Sequence, residues 1–295
     1  TMVHILYNDL ANNNHGEINA RKIISNYNSD EVVFVNITKI NDVNTYLEKL
    51  GDGDSLVLAG GDGTLNNFIN AINGHDYSFP IYCYAAGSGN DFMTDVKSEV
   101  KNDVVLINKY IKNLPTVTVY GENGEIKAEG QRFINGIGYG IDGYCCEVGD
   151  ELKKKSDKPV NYAGIAIKGM LFHFKPCDAT VTVDEVEHKY KKVWLAPTMN
   201  GRYYGGGMMV TPEQNRLNGE GLLSVQVFHG SGKIKTLMIF PKIFKGEHVL
   251  HKDTVEVLTG HEITVEFTKP CALQIDGETI TRVLKYTAKG TPANK

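Results

Sequence analysis

The sequence predicts two domains of different class: an α/β domain of the doubly wound type, then a β-rich, sandwich-like domain. Across residues 1–120 short apolar runs alternate with helix-period segments, while from about Gly121 period-2 stretches take over. A length of 295 residues is also more than one usual domain requires.

In the first part, Val3 to Tyr7, Val32 to Ile37, Ser55 to Ala59 and Pro80 to Tyr84 are apolar runs of strand length and read as buried strands. Between them Val43, Tyr46, Leu47 and Leu50 repeat at the i, i+3, i+4, i+7 spacing of an amphipathic helix. Leu65, Phe68, Ile69 and Ile72 repeat in the same way. Such alternation predicts a parallel sheet covered by helices. In the second part Thr180 to Val183, Lys189 to Leu195, Leu222 to Phe228, Thr254 to Leu258 and Ile263 to Phe267 predict a mostly antiparallel β domain over residues 121–284. Helices are expected to interrupt it around Asn161 to Phe174 and Lys233 to Phe244.

Hydrophobic residues make up 41% of the chain, enough to fill real cores. No run of eighteen apolar residues occurs and no basic flank precedes an apolar N-terminal stretch, so the expectation is a soluble, cytoplasmic protein. Five cysteines, an odd set with no C-x-x-C spacing, read as free thiols rather than a disulfide frame or zinc site. His248 and His251 have a metal-compatible H-x-x-H spacing with no third ligand nearby. Residues 1–120 hold 8 Lys and Arg against 14 Asp and Glu, and residues 121–295 hold 23 against 21. Charge this modest argues against nucleic acid as a partner, although clustered lysines can lean on an anionic membrane.

The strand Ser55 to Ala59 runs into Gly60, Gly61, Asp62, Gly63, Thr64, Leu65 and Asn66, and a helix follows at once. A glycine turn between strand and helix is a phosphate cradle: absent Cβ atoms allow close approach, and the first helical N–H groups lack internal partners. A carboxylate beside polyphosphate is repulsive unless a cation intervenes, so Asp62 implies Mg²⁺ carried with ATP. Equally, Asp62 reads as a helix cap in a plain tight turn. A second corner, Gly87 to Phe92, follows the next strand and brings Ser88, Asn90 and Asp91 to the same crevice. No G-x-x-x-x-G-K-[ST] occurs, which excludes a P-loop.

GGDGTLN followed by GSGNDF resembles the catalytic-domain signature of the diacylglycerol kinases and bacterial lipid kinases. FINGIGYGIDG at Phe133 to Gly143, NGRYYGGGMMVTPE at Asn200 to Glu213, FPKIFKGEH at Phe240 to His248 and QIDGE at Gln274 to Glu278 resemble later segments of that family, in family order. The resemblance implies an α/β nucleotide-binding domain, a β-rich lipid-substrate domain, residues 285–295 returning to the first domain and an active site between the two. It implies ATP as donor, and Gly60 to Asn66, Ser88, Thr38 and Asn8 as nucleotide contacts. The family loop opened by Asn8 departs here, reading Asn8-Asp9-Leu10-Ala11-Asn12. The resemblance further implies a structural Mg²⁺ held by Glu220 and the carbonyls of Leu217 and Leu222. Glu220 stands where the family has Asp, and the extra methylene weakens a demanding octahedral site.

Phosphoryl transfer needs an in-line oxygen, charge neutralisation and a group that deprotonates the hydroxyl. By the resemblance that group is Glu278, with Asp276 as its close partner. Were Leu273 to Ile280 a nearly continuous strand, the two carboxylates would project from one face and raise one another's pKa. The alternative for the same residues is an ordinary Asp-Gly hairpin turn. The expected reaction is ATP-dependent phosphorylation of a lipid hydroxyl, most simply diacylglycerol to phosphatidic acid, by a protein peripheral to the inner membrane face. An NAD kinase-like phosphotransferase and a nucleotide-binding regulator without catalysis are the competing readings. Lys153, Lys154, Lys155 and Lys158 beside the apolar helix around Ile165 to Phe174 read either as a membrane contact or as a solvated run. A homodimer is left open, dimers being the commonest oligomers.

Overall fold

The structure is a computed structural model and describes residues 1–87 and 89–294. Its two units divide at Leu114/Pro115.

The first unit is built on five strands: β1 (Val3–Tyr7), β2 (Val32–Asn36), β3 (Ser55–Gly60), β4 (Ile81–Ala85) and β5 (Val104–Leu106), in the order β2-β1-β3-β4-β5. The first four run parallel, as their apolar runs predict, while β5 is antiparallel to β4. A three-residue strand gives too short a run to be read from sequence. Around the sheet lie α1 (Ala11–Asn14), α2 (Gly16–Arg21), α3 (Val43–Leu47), α4 (Asp62–Ile72) and α5 (Asp91–Asp95). α4 buries Leu65, Phe68, Ile69 and Ile72, the residues its spacing selects. Each such side chain contributes about 1.5–3 kcal/mol when fully buried. The helix stops where Asn73 takes a left-handed conformation with φ 50°.

The described residues of the second unit form twelve strands. In chain order they are β6 (Thr116–Gly121), β7 (Ile126–Arg132), β8 (Gly136–Tyr139), β9 (Cys177–Val183), β10 (Val186–Leu195), β11 (Thr198–Met199), β12 (Tyr203–Tyr204), β13 (Met208–Met209), β14 (Leu223–His229), β15 (Val255–Gly260), β16 (Glu262–Ile275) and β17 (Glu278–Lys289). β16 is the hinge of the architecture. Its first half pairs with β9 through Ile263 to Phe267 and its second with β8 through Leu273 to Ile275, with register shifts between Glu266 and Leu273. Strands β16, β8, β11, β14, β10 and β9 therefore close into a six-strand barrel, with β17, β6, β7 and β15 as extensions. Inside it Tyr139 stacks on Phe267 at 3.9 Å, and the buried Tyr286 hydroxyl donates to Ala196 O at 2.7 Å.

Helices α6 (Ile141–Lys155), α7 (Tyr162–Lys168) and α8 (Lys233–Ile239) cover a second core that contains Trp194, Met170, Phe228 and Phe240. A π-helical turn, Gly169–His173, extends α7, and 3-10 turns over Phe240–Lys245 and Glu247–Leu250 follow α8.

Thr116–Gly121 pairs with β17 and groups with the second unit. Residues 285–289 complete β17, and Ala293 N–H donates to Gly219 O at 3.0 Å. All five cysteines are free, and burial pushes the thiols of Cys83, Cys146 and Cys271 up to about 12.

Candidate active site

In the first unit the carboxyl ends of four parallel strands share one edge of the sheet. Asn8 follows β1, Thr38 follows β2, Gly61 follows β3 and Gly87 follows β4. The chain leaves β1 toward β2 on one side, while β3 lies on the other side of β1. The ends of β1 and β3 thus flank a topological switch point, the place where open α/β sheets bind ligands.

The two glycine corners interlock. A Cβ on Gly61 would lie 2.5 Å from Gly89 O, and one on Gly87 would lie 2.4 Å from Gly61 N. Asp62 N–H donates to Gly89 O at 2.7 Å, while the Asp62 carboxylate accepts the N–H groups of Asp91 at 2.7 Å and Phe92 at 3.0 Å. These bonds direct the Asp62 carboxylate at the first N–H groups of α5. Thr64, Leu65 and Asn66 are buried beneath the corner, whereas a Cβ on Gly63 would meet nothing within 4 Å. Asn90 donates to Gly87 O at 2.9 Å, and Asp91 is buried. Ser88 lies outside the described residues.

Asn8 and Thr38 are held locally. Asn8 Oδ1 accepts Leu10 N–H at 2.9 Å, so the departing Asn8 loop folds back on itself and opens α1. Thr38 donates through its N–H at 3.1 Å and its hydroxyl at 2.8 Å to Asn36 Oδ1.

In the second unit Asp276 and Gly277 form the two-residue turn between β16 and β17, with φ of 48° and 91°. This is the hairpin alternative, favoured because Asp-Gly tolerates two positive φ values. The idea of two carboxylates on one strand face is therefore overturned. Asp276 Oδ2 accepts Ile134 N–H at 2.7 Å, and Oδ1 accepts Asn135 and Gly136 N–H at 2.9 and 3.1 Å. Glu278, the first residue of β17, is exposed. Asp276 anchors the hairpin to the Phe133–Gly143 segment, and the Glu278 side chain faces solvent.

The loop expected to hold magnesium is braced by side-chain amides. Leu222 O already accepts Asn218 Nδ2 at 2.9 Å and Gln214 Nε2 at 3.0 Å, which occupies both lone pairs. Asn218 Oδ1 in turn accepts the N–H groups of Glu220 and Leu222 at 2.9 and 3.1 Å. Glu220 and Leu217 are exposed. Two side-chain amides hold together the loop that a cation was expected to hold. Among the described residues no group of three or more His, Cys, Asp or Glu is placed to hold a metal. His248 is buried with Nε2 2.9 Å from Val210 O and 2.5 Å from Gln226 Oε1.

Sequence reading missed Asp142 and Gln274. Asp142, 8% exposed in the first turn of α6, lies against the Tyr204 hydroxyl and the Gln274 carboxamide without completing a hydrogen bond of good geometry to either. Burial raises its pKa to about 6, against the lowering influence of Tyr204 and nearby amides. Gln274 Oε1 accepts Gly277 N–H at 2.7 Å, tying this buried cluster to the Asp276 turn. An acid inside the otherwise uncharged run Phe133 to Cys146 is the available signal. Arg216 also donates to Ile134 O at 2.9 Å, bracing the segment that Asp276 grips.

The diacylglycerol kinase catalytic domain matches residues 2–119, and the YegS C-terminal NAD kinase beta sandwich-like domain matches residues 135–292. The chain belongs to the diacylglycerol kinase-type lipid kinase family. Among curated relatives, a diacylglycerol kinase of Mycobacterium tuberculosis is 26% identical over 217 residues, covering 72% of this chain and 67% of the relative. YtlR of Bacillus subtilis, which carries a lipid kinase name, is 24% identical over 237 residues, covering 76% and 73%. A diacylglycerol kinase crystal structure from Bacillus anthracis shares the fold with a TM-score of 0.60 at 17% identity, covering 99% of this chain and 94% of that one.

Proposed function

We propose that this lipid kinase transfers the terminal phosphate of ATP to the hydroxyl of diacylglycerol, giving phosphatidic acid, from the cytoplasmic side of a membrane. The observation that carries the reading is the pair of interlocked glycine corners beside the switch point. There the packed corners hold the first turn of α4 at the strand ends, and Gly63 in that turn opens onto free space, a place suited to polyphosphate. The names of the relatives supply the lipid class.

Glu278 is the proton acceptor for the attacking hydroxyl, and Asp276 is a positioning residue that fixes the turn before it. The triphosphate requires charge neutralisation, so ATP enters as its magnesium complex, the cation arriving with the nucleotide and not through the Glu220 loop. Gly63 and the α4 start face the phosphates, Gly60 and Gly61 allow the close packing that shapes the corner, and Thr64, Leu65 and Asn66 support it from below.

Incubation with labelled ATP and a panel of diacylglycerol, ceramide, a sphingoid base, phosphatidylglycerol and NAD tests the reading. Label recovered as phosphatidic acid is the expected result. Label in NADP, or in no acceptor at all, refutes it.

A further inference from the structure

Beyond the catalytic residues, one face of the second unit is unlike the rest of the surface. α8 turns Thr236 and Ile239 into the core and leaves Ile234 and Met238, one helical turn apart, 78% and 68% exposed. Lys233 Nζ donates to Leu171 O at 2.9 Å, which seats the start of α8 beside the π-helical turn carrying Phe172, itself 71% exposed. Phe244 and Leu250 project from the 3-10 turns that follow, with Leu250 74% exposed. Four of the most exposed large apolar side chains of the protein thus gather on two neighbouring segments. Their helices are already anchored, through Met170, Ile239 and Phe240, on the Trp194 core.

Charge concentrates on the same segments. Residues 162–175 and 231–253 carry seven lysines against only Glu247 and Asp253, a net +5 within a chain whose net charge is −4. Short helices with apolar residues outward, interleaved with lysine, are suited to lying in the interface of an anionic bilayer; lysine stems bury beside the acyl boundary while their ammonium groups stay at headgroup level. Among the described residues no helix is long and apolar enough to cross a membrane, so contact here means lying on the surface.

We infer that the face formed by α8, the π-helical turn at Gly169–His173 and the 3-10 turns through Leu250 docks this protein on anionic lipid bilayers. The inference rests on the lipid kinase reading for its biological setting but not for its physics. The lysines sequence reading singled out have a different place: Lys153, Lys154 and Lys155 form the last turn of α6, where cations complement the helix dipole, and Lys153 Nζ lies 5.7 Å from the Tyr162 ring centroid.

Flotation of the full chain with phosphatidylcholine vesicles, with and without phosphatidylglycerol, tests the proposal. The pairs Ile234→Ser with Met238→Ser and Lys242→Glu with Lys245→Glu are compared with the wild type. Thermal melts establish that each pair folds, and light scattering reports assembly. Wild type should float with anionic vesicles and remain behind with neutral ones. The serine pair should lose at least roughly ten-fold in binding, and the glutamate pair more, since each lysine near an anionic surface is worth roughly five-fold. Equal binding to both vesicles, binding untouched by either pair, or a dimer that the serine pair dissolves with no flotation would each overturn it. The kinase reading fails separately: flotation without phosphorylation of any lipid leaves the docking face standing, whereas phosphorylation of diacylglycerol in detergent micelles without flotation removes the face alone.

Discussion

Asp62 and Asp91 belong to different glycine corners, yet the carboxylate of the first accepts the backbone N–H of the second at 2.7 Å. With the Phe92 N–H at 3.0 Å, this makes one acidic side chain the clasp between the two loops that shape the proposed phosphate site. Asp62→Ala should lower stability by about 2–3 kcal/mol, since it strips acceptors from two partly buried amides, and should weaken ATP binding. Asp62→Asn, which keeps one acceptor, should lose roughly half as much. Urea unfolding and calorimetric ATP titration read both quantities; an unchanged urea midpoint for Asp62→Ala refutes the clasp.

Glycine is required at some positions of the corners and not at others. Gly87→Ala drives a Cβ to within 2.4 Å of the Gly61 backbone and should cost about 2 kcal/mol or more, or force the corners apart. Gly63→Ala places its methyl in open space and should change stability by less than about 1 kcal/mol, with Ala favoured in the helix. If Gly63→Ala nevertheless abolishes ATP binding, the open space in front of it is where phosphate sits. Differential scanning fluorimetry with and without ATP separates the two effects.

The hairpin divides its labour between its acids. Glu278→Gln should leave the melting temperature within about 2 °C of wild type, since the residue is exposed, and should reduce turnover by about 10²–10⁴-fold. Asp276→Ala should instead unfold earlier, by about 2–3 kcal/mol, because three N–H groups lose their acceptor and alanine resists a φ of 48°. Wild-type turnover in the Glu278 variant would remove it as proton acceptor.

What could be read from the chain followed from how local the cause was. β1 is legible because its short apolar run stops at the polar Asn8-Asp9 pair, and α4 because its buried positions share one helical face. β17 is harder to read because Glu278 to Lys289 mixes charged and apolar residues and its buried positions, Val283, Tyr286 and Ala288, lose strict alternation where the register shifts between Val283 and Lys285. The roles of the two key aspartates were illegible for another reason. Asp62 finds its amides 29 and 30 residues away and Asp276 finds its amides 140 to 142 away, so only the folded chain shows what each carboxylate holds. Similarly, only the folded chain shows that Asn218 and Gln214 both donate to the Leu222 carbonyl beside Glu220.

Two buried titratable groups of the second unit should give stability opposing pH dependences. Burial raises Asp142 from 3.8 to about 6, so between those values the folded state retains a proton that the unfolded chain has released; stability falls as pH rises through this window and stays lower above it. His248 is shifted the other way, from 6.5 to about 4, chiefly by burial and partly offset by the Val210 carbonyl. Between about 4 and 6.5 the unfolded chain binds the extra proton, so His248 makes stability rise with pH. In the wild type the two slopes largely cancel between about pH 4 and 6. Asp142→Asn removes the falling slope alone. Measured by urea unfolding, the variant should therefore gain about 2–3 kcal/mol relative to wild type on going from about pH 4 to about pH 7, leaving the acid sensitivity of His248 exposed. Parallel curves for the two proteins across that range would mean that Asp142 titrates alike in the folded and unfolded chain, and that its burial does not control its charge.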